Sequence, residues 1–202
     1  EAADSLARLG AQVDAHARPD VDPVRNHHNY TQLLMAAMSG GMPDSLYQAA
    51  CAMVAEADAE NMSEPLLQMR GIALSHRDWQ RRNEGRLQTR AAWMDFFRDY
   101  DVLLCPCAHV PAFPHDHSPD MHLRSLQVNG AQRPYSEILA WAGLTLNGYL
   151  PITAAPAGTT SDGLPVGVQI VAPFLGDRSS LAVAELLEQH HRTFVPPPGY
   201  GR

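Results

Sequence analysis

The sequence predicts an α/β fold with helices covering a sheet, and three observations carry that reading. The opening EAADSLARLG has apolar residues near helical spacing and stops at Gly10, while the following AQVDAHARP alternates like a short strand. Alanine, leucine and methionine dominate residues 26–38 and 43–59 between breakers, the pattern of packed helices. Two short branched aliphatic runs, DVLLCP and GVQIVAP, are bounded by Asp, Gly and Pro and read as buried strands. With 202 residues, 45% hydrophobic and 18% charged, the chain is long enough to bury roughly 70% of its unfolded surface in a core.

In chain order, the helical segment is expected to hold one helix from Asn26 to about Met38, a second from Pro43 to about Ala59 across SGGMP, and a third from Ser75 to about Arg98. Trp79, Leu87, Trp93, Met94 and Phe97 mark the apolar stripe of the third. The sheet and cleft segment, 101–192, opens with the DVLLCP strand. Residues 107–122, rich in proline and histidine and without periodicity, read as a loop over the surface or a cleft. Asn129-Gly130 predicts a tight hairpin. A helix from about Ser136 to Leu146 leads into PITAAPAG, the Asp162-Gly163 turn and the second buried strand. Asp177 is placed to cap a last helix, and prolines in the tail 193–202 forbid its continuation. No repeat or linker divides the chain, so 1–202 reads as part of one domain.

Within GLPVGVQIVAP, Pro165 lacks an amide hydrogen and Gly167 a side chain, so the strand after Gly163 can start abruptly and let another backbone come close. Gln169 projects from the face opposite Val168 and Ile170. Buried, its amide needs partners or costs about 1–3 kcal/mol, which predicts that it ties down a neighbouring loop.

A formal net charge of -7 and the lack of any basic run argue against nucleic acid and anionic membrane as partners. No apolar run approaches the roughly 20 residues of a membrane span. Three cysteines without a secretory signal read as reduced thiols in a cytoplasmic protein, and C-x-C alone offers too few ligands for zinc. All 15 basic residues are arginine. The chain therefore owns no side-chain amine that burial could tune into a base.

Several motifs together, W-x13-W-x2-FF-x2-YDVLLCP, PAFPHD, VNG-x3-PY, LP-x3-APAGTTSDGLPVGVQIVAP and D-x3-L-x-VAELLE, resemble the C-terminal half of amidase signature enzymes. The resemblance implies a mixed β-sheet covered by α-helices and hydrolysis of a carboxamide without metal or organic cofactor. It also implies machinery of two serines and a lysine in a region upstream of every matching motif. No lysine is present, and MSGGMPD is a faint echo of a Gly/Ser-rich stretch. The expectation is a C-terminal part of an amide hydrolase, inactive alone, whose catalytic serine lies in a missing N-terminal half. A second departure is that Asn147, Gly148 and Tyr149 precede Leu150-Pro151, with the asparagine displaced from the family pattern.

No G-x-S-x-G elbow occurs, and Glu1 cannot serve as an N-terminal nucleophile, so no catalytic residue is assigned within the chain. Arg124, Tyr135 and Trp141 are the candidate substrate-pocket residues, with Trp141 an aromatic wall suited to an apolar acyl group or else plain core packing. Gly163, Pro165, Gly167 and Gln169 form the structural motif. The expected partner of the complete enzyme is a small-molecule amide, and an uncovered sheet edge would favour a homo-oligomer. Two rival readings stay open: a non-catalytic binding or assembly module on the same scaffold, and a metalloprotein using His115, Asp116, His117, Asp120 and His122 of loop 115–122.

Overall fold

Three antiparallel strands in the order β1-β5-β4 carry the buried centre of the protein: β1 (Leu103–Pro106), β4 (Ile152–Thr159) and β5 (Pro165–Val171). A computed structural model describes residues 1–197 and 199–201. Of the proline-rich tail 193–202, positions 198 and 202 lie outside the described residues, and 193–197 form no regular element.

Alternation along β5 explains why both sheet faces are covered. Ile170 and Val168 turn to one side, where they meet Leu6, Ala155, Leu104 and Leu187. Val171 turns to the other, against Trp93, Cys105 and Leu150. The first face is covered by α1 (Ala2–Arg8) and α7 (Asp177–His190), which supply Leu6 and Leu187. The second is covered by the C-terminal end of α5 (His76–Phe96) and by α6 (Ala140–Leu146), which supply Trp93 and Trp141. A separate hairpin, β2 (Ser125–Val128) and β3 (Ala131–Pro134), turns at Asn129 and Gly130, whose φ values of 51° and 81° are those of the expected Asn-Gly turn. The α/β class holds, and every strand pair among the described residues is antiparallel.

The helical layer consists of α2 (Pro23–Ser39), α3 (Asp44–Glu56), α4 (Glu64–Ile72) and α5. Asp22 starts α2 by accepting from the amides of Val24 and Arg25 at 2.9 and 3.1 Å, with Pro23 pre-set for the first turn. Ser75 starts α5 by accepting from the Asp78 amide. Helices α2 and α4 approach so closely at Gly71 that an added Cβ would lie 2.8 Å from the Gln32 carbonyl oxygen.

Four local expectations need correction. AQVDAHARP forms no strand: Asp14 Oδ1 accepts from the amides of His16 and Ala17, a local turn that replaces extended backbone. Helix α4 was not anticipated, although Ser63, Glu64 and Pro65 are a helix-start signature. The stripe on α5 is buried only in part. Trp93 packs with Phe96 and Phe97, and Leu87 and Met94 stay exposed. Asp177 is the first residue of α7 rather than its cap, and Gly176 precedes it without a side-chain bond.

Candidate functional site

Loop 107–120 leaves β1 and runs past α6 and the hairpin, and its side chains meet two of the predicted pocket residues. Trp141, half-buried, donates from Nε1 to His109 Nδ1 at 3.2 Å. That bond requires Nδ1 to be the unprotonated nitrogen of His109. Phe113 sets its ring edge-on to Tyr135 with centroids 6.1 Å apart. Tyr135 also lies 6.0 Å from the Arg124 guanidinium carbon. Arg124 itself is spent on the loop, donating from Nε and Nη2 to the Ser118 carbonyl at 3.1 and 2.6 Å. Arg124 and Tyr135 are thus brought together, and the loop links them to Trp141 through His109 and Phe113.

The β5 motif anchors the root of this loop. Gln169, buried, donates from Nε2 to the Pro106 carbonyl at 2.7 Å, across from β1. A Cβ on Gly167 would sit 3.3 Å from Cys107 Sγ and 3.5 Å from the Ala155 carbonyl, so the bare backbone makes room for the departing chain. Gly163 takes φ 82° in the turn that joins β4 to β5, and Pro165 opens β5 opposite Thr159. Burial raises the Cys105 thiol to about 11, with the neighbouring Cys107 adding to the effect, so Cys105 stays protonated.

Behind α6 lies a joint that the sequence did not reveal. Asn147 donates to Asn26 Oδ1 at 2.8 Å, and Asn26 donates to the Gly143 carbonyl at 3.0 Å, all buried. The displaced asparagine of the NGYLP segment therefore fixes α6 to α2. Only its unusual position hinted at a role; Asn26 gave no signal, being 121 residues away.

A groove of about 990 Å³ opens between α2, α4 and α5, lined in part by Asn26, Asn29, Gln32, Arg70 and Arg82. Arg124, Tyr135 and Trp141 lie outside it. Hydroxyls that could be mistaken for nucleophiles are engaged in scaffolding. Ser39 donates to the Ala36 carbonyl at 2.7 Å within its own helix. Ser5 lies 2.9 Å from His191 Nδ1, yet it is buried, accepts from Arg8 Nη2 at 2.8 Å, and does not line the groove between α2, α4 and α5. His191 Nε2 meets the Ala157 carbonyl at 2.9 Å, so this imidazole ties α1 to β4.

In loop 115–122, Asp116 is occupied by the Ser118 amide and hydroxyl, and Asp120 by the His122 amide. Among the described residues no three His, Cys, Asp or Glu side chains converge as metal ligands do. The three cysteines are free thiols. No described helix is long and apolar enough to cross a membrane.

Against this geometry, residues 1–181 match the family model described as Amidase. The chain belongs to the amidase family. Human fatty-acid amide hydrolase 2 is 32% identical over 108 residues, which are 54% of this chain and 18% of that protein. The glutamyl-tRNA(Gln) amidotransferase of Haloarcula marismortui, through its A subunit, is 34% identical over 107 residues, 50% of this chain and 23% of that polypeptide. Among solved structures, a bacterial aryl acylamidase of the amidase signature enzymes superposes with a TM-score of 0.66 at 20% identity, covering 96% of this chain and 39% of the acylamidase. The corresponding amidotransferase polypeptide of Thermotoga maritima gives 0.61 at 18% identity, covering 100% and 41%. At such identities these structures establish the amidase fold alone. The amidase chain spans about a fifth of the length of these two curated relatives.

Proposed function

We propose that this chain is the C-terminal portion of an amidase that converts a carboxamide to a carboxylate and ammonia or an amine, through an acyl-enzyme on a serine outside these residues. One observation carries the proposal: the amidase fold and the PAG-x3-DGLPVGVQ block are present in a chain with no lysine among its 202 residues. Family resemblance assigns the base of the reaction to a lysine, and arginine cannot replace it because it stays protonated. The described residues contribute sheet, covering helices and one wall. In the complete enzyme, attack of the serine on the amide carbon expels the amine, and water then releases the carboxylate.

Substrate class follows from the wall. Trp141, Tyr135 and Phe113 offer aromatic surface, which suits an apolar or aromatic acyl group. The names of the human relative and of the bacterial acylamidase, a fatty-acid amide hydrolase and an aryl acylamidase, agree with that class. Its reduced thiols suit the cytoplasm.

The test compares residues 1–202 alone with the same residues expressed together with whatever precedes them in their reading frame, against aliphatic and aromatic amides. Turnover is expected from the longer protein only. Turnover by the purified 202-residue chain, insensitive to removal of contaminating hydrolases, overturns the proposal. A reading frame lacking an upstream lysine and Gly/Ser-rich stretch would favour the non-catalytic module, which the absence of lysine also fits. The isolated chain is expected to dimerise or aggregate through its open strand edges and exposed apolar side chains such as Leu181 and Val166. A monodisperse monomer with a cooperative melt contradicts that expectation.

A further inference from the structure

Arg86 and Arg90 stand one turn apart on α5, and both guanidiniums reach the same aromatic ring. Arg86 lies 4.3 Å over Tyr149, and Arg90 lies 6.0 Å from Tyr149 and 4.6 Å over Phe174. Tyr149 precedes Leu150-Pro151, which lead into β4, and Phe174 follows β5, so both segments beyond the sheet converge on one face of the helix.

What this cluster lacks is an acid. The chain is net -7, yet among the described residues no carboxylate lies within 4 Å of either guanidinium. Like charges at this helical spacing repel. Arg86 gives Nη2 to Asn83 Oδ1, and its Nε is buried without a partner. Arg90, half-buried, donates to no acceptor among the described residues. Stacking on a ring occupies the flat face of a guanidinium and leaves its in-plane N–H groups aimed outward. On Arg90 those donors form the fork that matches a planar carboxylate, and Arg86, with Nε enclosed and Nη2 held by Asn83, adds its charge and Nη1 beside it.

Backbone strain falls at the same place. Only Asn129, Tyr149 and Leu175 take positive φ among the described non-glycine residues, and Asn129 is explained by its hairpin. Tyr149 at 57° and Leu175 at 65° are bulky residues held in the left-handed region, one bearing the shared ring and the other next to Phe174. Tyr149 is 46% exposed and Leu175 78%, so apolar surface borders the donors.

We infer that Arg86, Arg90, Tyr149 and Phe174 form a binding site for a small organic monocarboxylate with an apolar body. The guanidinium edges hold the carboxylate, while the rims of the rings and Leu175 take the hydrocarbon. This assignment stands on the donor set alone and does not depend on where amide hydrolysis occurs.

The experiment is calorimetric titration of the chain with hexanoate and benzoate, with hexanamide as the uncharged counterpart and inorganic phosphate as the anion without an apolar body. Both acids are expected to bind, hexanamide and phosphate at least about tenfold more weakly, as loss of a charge-assisted pair or of apolar contact implies. R90Q and R86Q should each weaken hexanoate about tenfold, Y149L less, and R133Q, on the distant hairpin, not at all. Circular dichroism of each variant confirms folding, and Y149L keeps both charges should an arginine variant fail to fold. Equal binding of hexanamide and hexanoate, phosphate binding as tight as hexanoate, or unchanged affinity in R90Q overturns the assignment.

Discussion

The sheet region and the helical region are held together by different chemistry. Around β1, β4 and β5 the buried side chains are mostly apolar: Leu150, Ala155, Ile170, Val171 and Leu187. In the helical layer, Asn26, Asn29, Thr31, Gln32 and Gln68 are buried beside Leu33, Leu66, Leu67 and Ile72. Apolar burial is non-directional and tolerates small shifts, whereas buried amides demand particular partners. The sheet therefore supplies bulk stability, and α2 supplies orientation. From it Asn26 reaches α6 and Asn29 Nδ2 reaches the Arg82 carbonyl on α5 at 3.0 Å.

Substitutions can break or sharpen this contrast. The largest effect is expected in the sheet, where Ile170→Ala empties a fully buried site touched by both α1 and α7 and should cost about 2–5 kcal/mol in urea unfolding. Gly71→Ala should cost about 1–3 kcal/mol, since the new methyl meets backbone atoms of Gln32 and only separation of α2 from α4 relieves it. Asn26→Ala should also cost about 1–3 kcal/mol by leaving the Asn147 amide and the Gly143 carbonyl unpaired, while Asn26→Asp, keeping an acceptor but losing the donor, tests direction rather than size. Equal tolerance of both replacements would remove the distinction drawn between the regions.

Acid should act on the helical side first. Burial lowers His28, and the neighbouring His27 lowers it further, so the unfolded chain takes up that proton earlier and stability falls as pH drops below 6.5. At Glu64 burial works upward, but the His27 hydrogen bond and charge, with help from Gln68 and His28, outweigh it and hold the carboxyl below 4.5. A depressed carboxyl stabilises the fold above its unfolded value, and that contribution disappears as pH falls through the folded value. Glu64→Gln should therefore flatten the stability profile below about pH 5 relative to the wild type, measured by chemical denaturation at a series of pH values. A parallel profile for the variant sinks the idea. The smallest effect is expected at Arg133, whose 2.8 Å pair with Glu137 is on the surface; Arg133→Gln should change stability by less than about 0.5 kcal/mol.

Sequence patterns reached the sheet more fully than the helical layer, for physical reasons. Branched aliphatic runs, Asn129-Gly130 and Asp162-Gly163 are local signals, and they located β1 to β5 to within a few residues. The strand expected at AQVDAHARP failed because alternation says nothing about whether a neighbour exists to pair with, and Asp14 offers the backbone a local alternative. Of the residues proposed for the site, the surroundings of Gln169 followed from burial and face, since a lone amide in an aliphatic strand must find a partner. By contrast, the pairing of Trp141 with His109 and the Asn26–Asn147 bond depend on how distant segments meet, which no spacing within either segment records.

The imidazole of His191 carries a kinetic implication. Residue 5 at the start and residue 191 near the end share one hydrogen bond, and Leu6 and Leu187 share one core. On the ribosome, α1 cannot make these contacts until residue 191, 186 positions after Ser5, has emerged. Closure of so long a loop belongs to the late, slow part of folding, and holding Leu6 out of water until then is a task for whatever meets the nascent chain.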